Sequence, residues 1–142
     1  MSDPKNTIPY KIVSYLLKED PFSQWMEVKI LEASEGYCKI ECPVKEKMLN
    51  GFAVTHGGIV FSLADTALAF ASSTYGRVSL AVDNSISFMK KTEPGDILTA
   101  TAQSIQLSYK IGHFNVRVHN KDNSLIAEMK GTVYRTSEEI SI

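Results

Sequence analysis

Cysteine is scarce in this chain, with Cys38 and Cys42 alone among 142 residues. Four apart on an extended segment, the two point to the same face and sit too far apart to bridge without distortion. A disulfide framework is therefore excluded, and the pair reads as reduced, buried or half-buried thiols in a cytosolic protein. Without a second pair or a C-x-x-C spacing, metal ligation by them has no support either. Also missing is an excess of either charge: 15 Lys and Arg against 16 Asp and Glu leave a formal net charge of -1. No global field then draws nucleic acid or anionic lipid, and neither is expected as a partner. The opening MSDPKNTIPYKIVSYLLKED lacks the basic start, apolar centre and small-residue cleavage site of a secretory signal. A cytoplasmic location is expected. No phosphate-cradling glycine loop of the P-loop or dinucleotide type occurs. Nor does a G-x-S-x-G elbow, so Ser62, Ser72 and Ser73 are expected to bond back to the preceding helical turn.

What is present suits one globular domain over 1–142, with 44% hydrophobic and 22% charged residues. Residues 8–19 carry Ile8, Ile12, Val13, Leu16 and Leu17 at near-helical intervals, which predicts a short amphipathic helix ending before Pro21, with 1–20 acting as a lid. Met26, Val28 and Ile30 alternate with charged residues before a turn near Glu35-Gly36, and residues 37–42 alternate after it, predicting a hairpin. Residues 57–75 predict a long helix rich in Ala and Leu without proline. Beyond Gly76 four extended runs follow, at 78–89, 97–109, 112–119 and 124–136, which favours an antiparallel meander. In the third of these His113 and His119 fall on the polar face and read as surface residues. Phe22 and Trp25 are expected to close the core, with lining of an acyl pocket as the alternative. The fold class is α+β, a sheet of five to six antiparallel strands around one helix. Small residues Ala100, Ala102 and Ser104 on one strand face would let that helix approach the sheet closely.

Between 57 and 76 Asp65 is the only charge, so the helix is apolar nearly all round and is expected to be buried. A transmembrane reading fails on Asp65, Ser62, Thr66, Ser72 and Ser73, and on flanks without aromatic belts or basic anchors. Burying an ionised carboxylate without a partner costs several kcal/mol, so Asp65 implies either a satisfied structural network or a chemical role. His56-Gly57-Gly58 tips the balance toward chemistry, because the helix begins there and its first N–H groups lack intrahelical partners. Those donors and the helix dipole suit an oxygen that gains negative charge during acyl transfer. Gly57 and Asp65 are eight residues apart, or roughly 12 Å along a helix axis. One carbonyl carbon cannot lie near both, so the two groups are expected to come from two chains of a symmetric dimer with antiparallel helices.

The run Met48-Leu49-Asn50-Gly51, then His56-Gly57-Gly58, Phe61-Ser62-Leu63-Ala64-Asp65-Thr66-Ala67, Gly95-Asp96 and Leu98 to Ala102 resembles hotdog-fold acyl-CoA thioesterases of the phenylacetate-degradation (PaaI) type, over residues 22–136. The resemblance implies a hotdog fold and hydrolysis of acyl-CoA, with phenylacetyl or hydroxylated aryl-acyl groups as candidates. It implies Asp65 as catalytic carboxylate, Gly57 as the backbone donor to the thioester carbonyl, and His56 and Gly58 as the rest of that loop. By the same resemblance Asn50 helps hold the lytic water, and Thr66 neighbours the site. It further implies homodimers, often paired into homotetramers, with sites at the dimer interface, and no cofactor, coenzyme A being part of the substrate. Where the family often has Arg-Pro-Gly, this chain has Lys90-Lys91-Thr92. Lys90 and Lys91 either meet coenzyme A phosphates as point charges, without the bidentate fork of Arg, or form a solvated basic strand end. An acyl-CoA hydratase or dehydratase using His56 with Asp65, and a non-catalytic acyl-CoA or acyl-carrier binding module, are the alternatives.

Overall fold

The computed structural model describes residues 2–142. Asp20 and Pro21 set an early departure from the sequence-based expectation. After α1 (Ile8–Lys18) the chain does not go straight into a strand but forms α2 (Pro21–Trp25). Asp20 caps it, accepting from the Ser23 backbone N–H at 2.9 Å and the Ser23 hydroxyl at 2.6 Å, and Pro21 sits in its first turn. The turn of helix aims Phe22 and Trp25 outward, stacked on one another with centroids 6.0 Å apart. Both are exposed rather than in the core, and Met26 and Val28 take the buried places instead.

The hairpin follows, β1 (Lys29–Ser34) and β2 (Tyr37–Pro43), turning at Gly36 with φ +76°. That left-handed φ favours glycine, and a Cβ at Gly36 would also press on the Tyr75 hydroxyl. Its N–H donates to Thr74 Oγ1 at 2.7 Å, which ties the hairpin tip to the end of the long helix α3 (Gly57–Ser73). Then come β3 (Arg77–Phe88), β4 (Ile97–Leu107), β5 (Ile111–His119) and β6 (Leu125–Glu139).

All six strands join one antiparallel sheet in the order β1-β2-β4-β5-β6-β3. The expected meander holds for β4, β5 and β6 only, because β3 pairs with β6 and occupies the far edge. Residues 89–96 make this crossing possible. At about 3.3 Å per residue they outreach the three strand spacings of about 4.8 Å each that separate β3 from β4. Leu80 and Val82, on this edge strand, are 57% and 61% exposed.

α3 packs against the sheet through Ile59, Val60, Leu63, Ala64, Ala67, Leu68, Phe70 and Ala71, all buried. Ala100 and Ala102 on β4 are fully buried and present only methyl groups to it. The helix is not covered all round, however. Gly58, Ser62, Asp65 and Ala69, spaced four, three and four residues apart, form a stripe that is half-buried or exposed in the single chain. Thr66, Ser72 and Ser73 donate their hydroxyls back to the carbonyls of Ser62, Ala69 and Ala69. Among the described residues no helix is long and apolar enough to cross a membrane.

Cys38, Ile40 and Cys42 alternate along β2 onto its inner face, all fully buried, and both thiols are free. Burial pushes each thiol up to about 12. Since the thiolate is the reacting form, native protein at pH 8 should not react with a disulfide reagent such as DTNB. Unfolding in guanidinium should release both thiols; rapid labelling of native protein would contradict this burial.

Candidate active site

Residues 49–56 lead into α3 through a compact loop. A bridge pairs Leu49 with Thr55, Asn50 N–H donates to Val54 O at 2.8 Å, and Ala53 sits in the left-handed region at φ +61°. Asn50 stabilises the turn with its side chain, whose oxygen accepts from Phe52 N–H at 2.8 Å and Val54 N–H at 3.3 Å. With that oxygen occupied, only its amide NH2 is available to anything outside the loop. Thr55 anchors the other side, its N–H donating to Thr92 O at 2.9 Å and its hydroxyl accepting from Thr92 at 2.7 Å.

His56 then serves as N-cap of α3. Its Nδ1 accepts from Gly58 N–H at 2.8 Å, and its carbonyl accepts from Ile59 N–H at 2.9 Å. The first-turn donors are thus divided. Gly58 and Ile59 are satisfied, while Gly57 N–H has no acceptor among the described residues. The two glycines differ in purpose. A Cβ on Gly58 would lie 2.9 Å from His56 Nδ1 and break the cap, so the local fold requires that glycine. On Gly57 it would meet only the Phe88 ring, at 3.5 Å, an ordinary contact. Glycine at 57 keeps open the space in front of the N–H rather than relieving a clash.

That space is a groove of about 350 Å³. Gly57, Thr55 and Val60 form one wall, and Phe88, Met89, Lys90 and Lys91 at the end of β3 form the other. Lys90 donates to the Ser124 hydroxyl at 3.3 Å, and neither lysine has an acid in ion-pair range among the described residues. Two uncompensated cations beside a helix N-terminus favour an anionic ligand. A larger hollow of about 470 Å³ lies against Lys39, Glu41, Thr99 and His119, and none of the residues expected at the site line it. His113 is exposed and His119 half-buried, both outside the groove.

Asp65 does not line the groove either. It lies two turns along α3 on the open stripe, half-buried, where its Oδ1 accepts from Asn84 Nδ2 at 2.9 Å. Within one chain the structure brings together Gly57, Lys90 and Lys91 and leaves Asp65 and Thr66 apart from them. Asn84 escaped the sequence reading, although a detectable signal existed: an amide in the inward register of a strand whose neighbours Asp83, Ser85 and Ser87 point to solvent.

A family model described as the thioesterase superfamily matches residues 52–127. A putative esterase of Archaeoglobus fulgidus is 42% identical over 135 residues, covering 95% of this chain and 88% of its own length. The acyl-coenzyme A thioesterase PaaI of Escherichia coli is 31% identical over 126 residues, covering 89% of this chain and 90% of its own. The solved structure of the E. coli PaaI protein from the phenylacetic acid degradation operon superposes with a TM-score of 0.92 at 29% identity, over 94% of this chain and 97% of that one. On the strength of the matched segment, the relatives and the shared six-stranded sheet around one long helix, the chain belongs to the thioesterase superfamily, as a hotdog-fold thioesterase of the PaaI type.

Proposed function

We propose that this chain hydrolyses acyl-CoA thioesters in the cytoplasm, acting as a homodimer or a dimer of dimers in which each site is completed by two chains. The observation that carries the proposal is the unpartnered Gly57 N–H opening onto a groove flanked by Lys90 and Lys91. Its donor is preorganised for an oxyanion, and its cations suit the phosphates of coenzyme A. E. coli PaaI, at 31% identity, is an acyl-coenzyme A thioesterase, which supports the same substrate class here; phenylacetyl or hydroxylated aryl-acyl groups are the candidate acyl moieties, with short or medium aliphatic groups as the alternative.

In this reading the thioester carbonyl rests on Gly57 N–H, and Asp65 reaches it from the partner's α3. Asp65 takes a proton from water as the water adds to the carbonyl carbon. The tetrahedral oxyanion is held by Gly57 N–H; collapse breaks the C–S bond, and the departing thiolate recovers the proton. Direct attack by Asp65, giving a mixed anhydride that water then cleaves, uses the same geometry. In the same reading the free amide NH2 of Asn50 orients the water or the carbonyl, His56 keeps the loop in shape, Gly58 permits that cap, and Thr66 flanks Asp65. A hydratase built on a His56–Asp65 pair would have to use His56 through Nε2, because Nδ1 is held by the Gly58 N–H.

Two surfaces support the dimer. The outer edge of β3 leaves its backbone donors and acceptors unpaired and exposes Leu80 and Val82, an arrangement that recruits another strand. The open stripe of α3 contains Asp65 itself. Antiparallel pairing of two β3 edges would continue the sheet and run the two α3 helices antiparallel, closing the gap of about 12 Å between Gly57 and Asp65.

Free-thiol release from a panel of aryl-acyl and aliphatic acyl-CoAs tests the activity, with Asp65→Asn expected to lower kcat by about 10²–10⁴-fold. Undiminished release by Asp65→Asn would remove the mechanism, and tight binding with no thiol release would point to a binding module. Val82→Lys, on the exposed edge, should shift the protein toward monomer by analytical ultracentrifugation and abolish turnover together with it; an active monomer would refute the shared site.

A further inference from the structure

We propose that Asn84 is a positioning residue that holds Asp65 in the one orientation able to reach the thioester. The inference rests on Asp65 acting in the reaction as proposed above. Asn84 belongs to β3 and is paired in register with Gly131 of β6. Its Nδ2 donates to Asp65 Oδ1 at 2.9 Å within the same chain. Its own Oδ1 is buried and has no hydrogen-bond partner.

Three elements close around this amide. A Cβ on Gly131 would lie 2.7 Å from Asn84 Oδ1 and 2.6 Å from Leu68 Cδ2, so β6 carries a bare backbone there and lets Asn84 fit beneath α3. The packing does not explain the amide. An apolar side chain of the same branched outline would leave no buried acceptor unpaired, and an unpaired acceptor destabilises a fold. What such a side chain cannot supply is the N–H against Asp65.

The direction of the amide follows from the carboxylate. An ionised Asp65 accepts only, so the nitrogen of Asn84 faces it and the oxygen is left toward Gly131. A carboxylate otherwise rotates freely about its last torsion, which is broad and two-fold. With Oδ1 held by Asn84, the torsion is fixed and Oδ2 is the oxygen left for water or the carbonyl carbon. Asn84 and Asp65 share a chain, so the orientation is set before any partner or substrate arrives. General-base and nucleophilic steps both depend steeply on such alignment.

The test is a double-mutant cycle on the full-length protein, reading thiol release from whichever acyl-CoA the wild type turns over fastest. Asn84→Leu should lower kcat by about ten- to a hundredfold, while KM moves by less than about threefold and the loss of kcat does not follow any change in melting temperature. In the Asp65→Asn background the same substitution should change the residual rate by less than about twofold. A merely structural role predicts otherwise: an equal loss in both backgrounds, or a loss that tracks the melting temperature, and either result overturns the inference. Unchanged kcat in Asn84→Leu overturns it as well and leaves the thioesterase mechanism standing. Full activity in Asp65→Asn alone sinks the mechanism and this inference together, in a separate arm. If Asn84→Leu does not fold, Asn84→Ala removes the same N–H and is read by the same criteria.

Discussion

Eight residues of α-helix separate Gly57 from Asp65, and no side-chain rotation closes a distance of about 12 Å along a rigid axis. Most other features of the molecule bear on that separation. At one end of α3 the backbone offers a single donor, because the His56 side chain and carbonyl satisfy the next two and Gly57 is left free. Two turns further on, the helix carries its one carboxylate on the side that the sheet does not cover. If Gly57 and Asp65 act together as proposed, a chain on its own holds two halves of a reaction centre, neither sufficient. Under the proposed mechanism the partner supplies what rigidity withholds.

The sheet topology serves the same end. Had β3 turned back as a hairpin onto β4, its edge would be consumed inside the sheet. The crossing through residues 89–96 sends it to the outside instead, next to β6. There the strand does three things at once. Its outer edge is unpaired, its inner face brings Asn84 to Asp65, and its end delivers Phe88, Met89 and Lys90 to the groove beside Gly57. Exposed apolar groups on an open edge are a liability in a monomer, and pairing with a second edge removes it.

Much of this architecture was legible in advance. Alternation located the hairpin, the four later strands and the inward pair of thiols. The proline-free run of Ala and Leu after His56-Gly57-Gly58 located α3, and the chain's resemblance to the PaaI type agreed with them. The errors have different causes. Asp20 and Pro21 start a helix by local capping, and that single turn rotates Phe22 and Trp25 out of the core although their residue types suggest burial. The meander failed at β3 because strand order depends on which edges remain free when the sheet assembles, a property absent from the alternation of any one strand. Asn84 went unnoticed, although its inward register marks it as unusual, because its partner Asp65 comes from a helix 19 residues away.

The sequence alone decided the local matters: which segments coil and which extend, where the chain turns, and that one carboxylate and two glycines would lie eight residues apart on one helix. These follow from short-range sterics, capping and the periodicity of apolar side chains, all contained in a few consecutive residues. Tertiary structure alone decided that the free Gly57 N–H faces a groove walled by the end of β3. It also decided that α3 has an uncovered side, that β3 lies at the edge, and that Asn84 grips Asp65 across a glycine of β6. Each of those depends on groups distant in the chain competing for the same space or the same hydrogen bond, and that competition is resolved only when the layers pack.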